Sequence, residues 1–170
     1  RAAASRTTCY TFGGRFRECR DVTLARAIAQ TCGYPHRIIP IGAEFLQQFP
    51  QLAAQNAWIS DGNLDASGTI DVHVQRKARE IAPIRITGTN GGEILRRLVA
   101  FKPVPICREV LSADMIPFLD GVAEDYSAEK NGHPLGFTVF KQIPWYMNCK
   151  LAVERSQVVL RMPYFDNELV

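Results

Sequence analysis

The stretch EIAPIRITGTNGGEILRR, Glu80 to Arg97, reads as a buried strand, a glycine-rich turn and a helix. Pro83 pre-sets an extended approach. Ile84 and Ile86 alternate about Arg85, as in a short strand. Gly88, Gly91 and Gly92 place three glycines within five residues. Glycine permits positive φ and lets the backbone come close to a ligand. A helix starting near Gly92 or Glu93 adds unpaired N–H groups that favour an anion. An ordinary strand–helix corner fits the spacing equally well. The stretch is not a Walker A loop, because no Lys follows the second glycine pair, and it contains no Rossmann GxGxxG.

Working outward, the 170 residues and 46% hydrophobic content suit one domain with a real core, or the greater part of one. A net charge of +3, from 20 basic and 17 acidic side chains, is too balanced to argue for nucleic acid or an anionic membrane. No run approaches a transmembrane span and no signal-peptide pattern is present. The five cysteines (Cys9, Cys19, Cys32, Cys107, Cys149) are widely spaced, odd in number and lack any CxxC. That is a reduced, intracellular pattern, and it predicts a cytoplasmic protein. The chain opens on Arg1 without a Met and stops on Val170 after PYFDNELV, which reads as a fragment or a processed chain.

Before the focal stretch, Thr8 to Phe12 (TCYTF) predicts a buried strand ended by Gly13-Gly14. Asp21 predicts the N-cap of a helix from about Val22 to Cys32, with Leu24, Ala25, Ile28 and Ala29 as its apolar stripe and Gly33 as its stop. His36 to Ile41 (HRIIPI) is a second strand, with Pro40 arguing for an edge or a strand end. Strand, helix and strand form a βαβ unit, so the two strands should be parallel. Ala43 to Phe49 predicts a short helix broken by Pro50, followed by another from Leu52 to Ile59. Ile70 to Ile81 predicts a further helix.

Beyond Phe101 the texture changes. Lys102 to Pro105 (KPVP) is linker-like, which places a boundary between an α/β region, 1–101, and a helical part of the same domain, 102–170. In the latter, Val110 to Phe118 and Gly121 to Ser127 predict short helices. Phe137 to Val153 predicts one long helix, broken or kinked by Pro144. Met162 to Asp166 (MPYFD) predicts a packed loop.

Candidate chemistry is sparse. Asp61, Asp65 and Glu93 are carboxylates of the kind that hold Mg²⁺ beside a phosphate, but their spacing forms no dedicated cage. Asp61 also reads as a turn cap. His36 and His73 read as structural residues. Lys102 and Lys141 stand in aromatic, proline-containing segments where a cation can meet developing phosphate charge, although a solvated lysine is the ordinary reading. Arg96-Arg97 suit phosphate or solvent. Trp58, Trp145 and the Phe/Tyr set read as core. Nothing forms a serine or cysteine triad, and Cys19 and Cys149 lack a partner pattern.

Taken in order, several segments resemble the synthetase domain of the asparagine synthetase family. Cys9 to Gly14 (CYTFGG) resembles that domain's second strand, whose backbone flanks adenine. Asp21, Ala25 and Ala29 (DxxxAxxxA) resemble its following helix, and Pro35-His36 its histidine-containing step. Ala57 to Gly62 (AWISDG) resembles the segment leading toward the substrate side. Thr87 to Leu95 occupies the place of the TGEGADEL-type motif. Ser156 to Val170 resembles the EARVPFLD-type segment. The resemblance spans almost the whole chain.

It implies a partial adenine-nucleotide alpha-hydrolase-like fold of the PP-loop ATP pyrophosphatase kind. That is a parallel sheet with helices on both faces, followed by a mainly helical C-terminal part. It implies a ligase that uses ATP and Mg²⁺ to activate a small-molecule carboxylate as an acyl-adenylate, releases pyrophosphate, and passes the acyl group to an amine or ammonia. A glutaminase domain or subunit and a homo-oligomer are the implied partners, with neither nucleic acid nor membrane. Carried over residue by residue, the nucleotide would meet Thr11, Phe12, Gly13, Asp21, Thr87 and Gly88, and Glu93 would be the catalytic carboxylate. No metal ligand carries over.

The sequence departs from the family pattern at five places. No SGGLDS-like pyrophosphate loop precedes Cys9, and Arg1 to Ser5 resemble only the helix that would follow one. Thr89 stands in place of a functional glutamate, and Gly92 in place of an aspartate linked to metal or pyrophosphate. The lysine expected after the PFLD-like segment would lie past Val170, and there is no N-terminal glutaminase cysteine. Three readings follow: an ATP-dependent ligase seen in part, a degenerate nucleotide-binding relative, and an interaction module of a larger assembly. On any of them, these 170 residues alone are expected to be inactive.

Overall fold

The computed structural model describes residues 7–14, 18–96, 107–130, 132–166 and 168. It is a mixed α/β chain, mostly helical, with two small parallel sheets. Contacts divide it into two compact units. The first is Arg1–Ile86 with Cys149–Arg161, and the second is Thr87–Asn148 with Met162–Val170. The expected boundary near residue 101, the KPVP linker, Arg1 to Ser5 and Arg97 lie outside the described residues.

In the first unit the chain opens with strand β1 (Cys9–Gly14), helix α1 (Arg20–Cys32) and strand β2 (His36–Ile41). β1 and β2 pair in parallel with Cys9 opposite His36 and Gly14 opposite Ile41. Gly13-Gly14, expected to end the strand, belong to it. A Cβ at Gly13 would meet Val22 Cγ2 at 3.2 Å and Ile38 Cγ2 at 3.8 Å, so Ile38 lies toward α1. Its neighbour Ile39 is buried with Val74 and Ala78 of α3 (Gly68–Ile81). Successive strand residues face opposite ways, so α1 covers one face of this sheet and α3 the other.

Gly33 closes α1 at φ 73°, with Tyr34 N–H donating to the Ala29 carbonyl at 2.9 Å. That is the left-handed cap glycine supplies without strain. Cys19, not Asp21, holds the N-cap position. Asp21 stands in the first turn, where its carboxylate meets the partial positive charge of the helix end without a capping hydrogen bond.

Pro50 does not break its helix: α2 runs unbroken over Ala43–Ile59. Proline in a helix interior costs about 3 kcal/mol. Here Phe45 and Leu52, one before and one after Pro50, are buried in the same cluster with Val72 and Val153. Burying both side chains holds the two turns in line, so tertiary packing overrides the local preference. Asn56, also buried, donates from Nδ2 to the carbonyls of Leu64 and Asp65 at 3.2 and 3.0 Å, and so pins the following loop.

The strand of the focal stretch forms as β3 (Ile84–Ile86), but not as a buried one: Ile84 and Ile86 are exposed, because β3 is paired with one other strand only among the described residues and its isoleucines are not packed into either core cluster. It pairs in parallel with β4 (Val159–Arg161), with Arg85 opposite Leu160. The single sheet expected from the sequence is therefore two two-stranded ladders among the described residues. Between α3 and β4 in sequence, and within this unit, lies most of α7 (Asn148–Arg155).

In the second unit, α4 covers Gly91–Arg96. The Val110–Phe118 helix is replaced by two 3₁₀ turns, Arg108–Val110 and Ala113–Leu119. Helix α5 spans Val122–Lys130. A short helix α6, Pro134–Phe137, leads into a π-helical run, Thr138–Met147, and then into α7. The helix is continuous through Pro144. A π-helix bonds to the carbonyl five residues back, which relieves the clash a proline ring makes with the carbonyl four back. Met162 to Asp166 forms a 3₁₀ turn over Pro163–Phe165. No helix among the described residues is long and apolar enough to cross a membrane.

Candidate functional site

In the first unit, the candidate residues lie along β1. Thr11 and Gly13 are half-buried, and Phe12 is 46% exposed. Thr11 Oγ1 lies 2.8 Å from His36 Nε2 across the parallel ladder. That bond gives His36 a structural partner, and it leaves Thr11 one side-chain interaction already made. Asp21 is exposed on α1.

Asp61 and Asp65 serve the loop after α2. Asp61 takes φ 51° beside Gly62 at φ 74°, a turn geometry that aspartate tolerates. Asp65 Oδ1 accepts the Ser67 N–H at 2.8 Å, and the Ser67 hydroxyl together with that N–H holds its carboxyl below the usual carboxylate range. Both are exposed turn residues.

A polar network that the sequence reading missed crosses this unit. Arg85 Nη1 donates to buried Glu154 Oε2 at 2.9 Å. The Arg85 guanidinium also stands 5.8 Å from the centre of the Tyr10 ring. The Tyr10 hydroxyl in turn donates to the buried Gln75 Oε1 at 3.1 Å. Burial pushes the Glu154 carboxyl up, and the opposing Arg85 charge only partly offsets it. Burial likewise raises Tyr10. Their sequence separations, 69 residues for Arg85 with Glu154 and 65 for Tyr10 with Gln75, hide the network from any local pattern.

A shallow depression of about 180 Å³ lies between β2 and α3, lined in part by Arg37, Pro40, Lys77 and Glu80. It is smaller than the few hundred Å³ of ordinary ligand clefts. Lys77 is committed there to Glu44 at 2.8 Å and Glu80 at 3.6 Å. None of the candidate residues lines it.

In the second unit, Thr87 is buried and its hydroxyl meets Thr89 Oγ1 at 2.8 Å. The Thr89 N–H donates to Thr87 Oγ1 at 3.3 Å. Thr89 thus closes the turn on itself. Asn90 follows at φ 66°, the left-handed region where asparagine is tolerated. Gly91 is required by packing: a Cβ there would stand 2.7 Å from Tyr164 Cε2. Gly88 and Gly92 differ, because a Cβ on either would meet nothing within 4 Å. Those two positions leave the backbone open to close approach.

Glu93 is buried and accepts a hydrogen bond at 3.0 Å from Nε2 of Gln142, a residue the sequence reading did not single out. Its helical position, one turn after Thr138, was the available signal. Lys141 pairs with Glu129 at 2.8 Å and stands 5.4 Å from the centre of the Trp145 ring. Arg96 is exposed, and Lys102 and Arg97 fall outside the described residues. The tryptophans expected in the core are outside it: Trp58 is 85% exposed and Trp145 55%. All five cysteines are free.

Among the described residues no group of three or more His, Cys, Asp or Glu side chains could hold a metal ion. A protein cage for Mg²⁺ does not fit the carboxylates present, because Asp61 and Asp65 serve a loop and Glu93 faces an amide. Gly88 and Gly92 offer unobstructed main chain that a ligand could approach closely. Comparison of the chain with protein-family models, curated proteins and solved structures finds no match in any of the three.

Proposed function

We propose that this chain is part of an asparagine-synthetase-type, ATP-dependent amide ligase of the PP-loop pyrophosphatase fold. Its substrate would be a small-molecule carboxylate and its acceptor an amine or ammonia, delivered by a glutaminase domain or subunit. The observation that carries the reading is the turn after β3. Gly88 and Gly92 have open space over the backbone, Thr87 is buried, and Glu93 is fixed by a hydrogen bond. The TGEGADEL-type resemblance expects main-chain contact with nucleotide at Thr87 and Gly88 and retains its glutamate at Glu93, while Gly92 replaces its aspartate. The parallel β1–β2 ladder covered by helices on both faces supports the same reading. Five free cysteines accord with a cytoplasmic setting.

In this reading ATP, when bound, supplies the adenylate leaving group. The chain's own contribution would be binding and orientation by the main chain at Thr87 and Gly88. Activation also needs donors for the departing pyrophosphate. In this reading those donors would be an SGGLDS-like phosphate loop, a motif that residues 1–170 do not contain.

The test is isotope exchange between ATP and pyrophosphate, with a panel of carboxylic acids. The 170-residue chain is expected to show none, and a longer product with an SGGLDS-like loop upstream is expected to show it. Exchange by the short chain would refute the first expectation, and absence of exchange from the longer product would refute the ligase reading.

Thr89 favours a second reading, a nucleotide-binding relative without catalysis. Its hydroxyl is tied to Thr87, and a threonine cannot act as a carboxylate base. Saturable ATP binding without exchange in the longer product selects it.

A further inference from the structure

We propose that the second unit holds a compact monovalent cation at Glu93, bound by side-chain oxygens from α4 and the π-helical run. The first observation is charge. Glu93 is buried, and among the described residues its partner is the neutral amide of Gln142, with no Lys, Arg or His pairing with it. An ionised carboxylate without a countercharge is costly away from water.

The second observation is a set of buried oxygens without partners. Glu93 can only accept, so the Gln142 group facing it is the NH₂. Gln142 Oε1, on the same carbon, is therefore beside the carboxylate, and it is buried without a hydrogen-bond partner. Thr138, one turn before Gln142 and fully buried, has an unpartnered Oγ1. Asn90, one turn before Glu93 and 6% exposed, has an unpartnered side-chain oxygen and nitrogen. Asn90 directly precedes α4, which carries Glu93, and Thr138 lies four residues before Gln142 in the π-helical run, so the orphaned groups sit on the two segments that the Glu93–Gln142 hydrogen bond joins.

Each unsatisfied buried polar group carries its full desolvation penalty. An oxygen-coordinated cation removes the penalty for the oxygens and neutralises the carboxylate together. One carboxylate balances one positive charge. Calcium and magnesium sites draw on more carboxylates or on substrate phosphates, and no cluster of three acidic, His or Cys side chains exists among the described residues. The neutral amide and hydroxyl oxygens that complete the set are the ligands that suit potassium, sodium or ammonium. The proposal does not depend on the ligase reading, because binding is measured without ATP.

The test compares thermal unfolding of the whole chain in potassium, sodium and ammonium chloride with choline chloride at equal ionic strength. A ligand bound only by the folded state raises the midpoint with concentration. The expected result is a saturable rise in at least one compact cation, absent in choline, and the three arms identify the preferred ion. Two variants locate it. Glu93→Gln keeps an acceptor for Gln142 and should abolish the cation-dependent rise. Asn90→Gly relieves the left-handed residue, so it should keep or raise the midpoint in choline, yet weaken the cation roughly tenfold, the scale of one charge-assisted contact. Equal midpoints in all four salts, or a rise that survives in both variants, would overturn the proposal.

Discussion

The two units bury apolar and polar side chains in different proportion. The first, Arg1–Ile86 with Cys149–Arg161, gathers aliphatic and aromatic side chains, Phe45, Leu52, Val72 and Val153 in one cluster and Ile39, Val74 and Ala78 in another, beside buried polar groups such as Asn56, His73, Gln75 and Glu154. The second, Thr87–Asn148 with Met162–Val170, buries Phe137 but also Thr87, Asn90, Glu93, Thr138 and Gln142. It leaves large apolar side chains such as Phe118, at 76%, and Phe140, at 73%, exposed. Apolar burial is the main source of folding stability, while buried polar groups at best break even unless fully paired. The first unit therefore has the composition of a scaffold. The second is held by specific polar contacts more than by core area.

Core truncation breaks the comparison most directly. Leu52→Ala should cost about 2–5 kcal/mol, read from urea unfolding, because Leu52 is almost wholly enclosed in its cluster. Phe140→Ala in the second unit should change stability by no more than about 0.5 kcal/mol, since its ring is largely in solvent. Equal costs would show that the second unit's apolar residues are as structural as the first's.

Glycine substitutions sharpen it at the next scale. Gly91→Ala drives a methyl toward the Tyr164 ring and should cost about 1–3 kcal/mol, partly recovered when Tyr164→Ala is added. Gly92→Ala meets open space and adds a better helix former, so stability should hold or rise by up to about 1 kcal/mol. If the open backbone at Gly92 serves the proposed nucleotide, that same variant weakens nucleotide binding while the fold is unharmed. Unchanged nucleotide affinity in Gly92→Ala would remove Gly92 from the site.

The first unit's buried ionisable groups give a smaller, pH-dependent signal. Burial raises the Glu154 carboxyl above its ordinary 4.5, so the native state holds that proton more tightly than the unfolded chain. Its contribution is full below 4.5 and is lost as pH rises through the raised native pKa. Stability should therefore show a falling component just above pH 4.5 that Glu154→Gln abolishes. Tyr10, raised above 10.0, should give a second fall in alkali that Tyr10→Phe removes. Urea midpoints across pH that are identical in wild type and both variants would contradict the assignment.

The smallest effect is expected at the surface. Arg26 pairs with Glu18 in two hydrogen bonds, both residues well exposed. Glu18→Gln should leave the unfolding midpoint unchanged, because solvent and salt screen such pairs. A measurable shift would mark α1 as more tightly tied than its exposure indicates.

Much of the local order was legible in the residues. The alternation of Ile84 and Ile86, the Gly33 stop and the apolar spacing through Ala78 each act within a few positions, and each element formed where they place it. Candidate residues were legible by type: Glu93 and the glycines stand where the turn was expected. Their environment was not. Asp21 lost its cap role to Cys19 because a shift of two residues in register is decided by where the chain enters the helix. Trp58 was read inward from its side chain alone, yet α2 turns it to solvent because Phe45 and Leu52 claim the buried face.

By itself, then, the sequence determined the parallel βαβ opening, the helical character of most of the chain and the glycine turn after β3, since these depend on backbone preference and short-range periodicity. Only the tertiary structure decided that α2 runs through Pro50, that four strands form two ladders, that Arg85 meets Glu154 and that Gln142 meets Glu93. Each of those rests on contacts between residues far apart in the chain. Burial there sets which local preferences are kept and which are overruled.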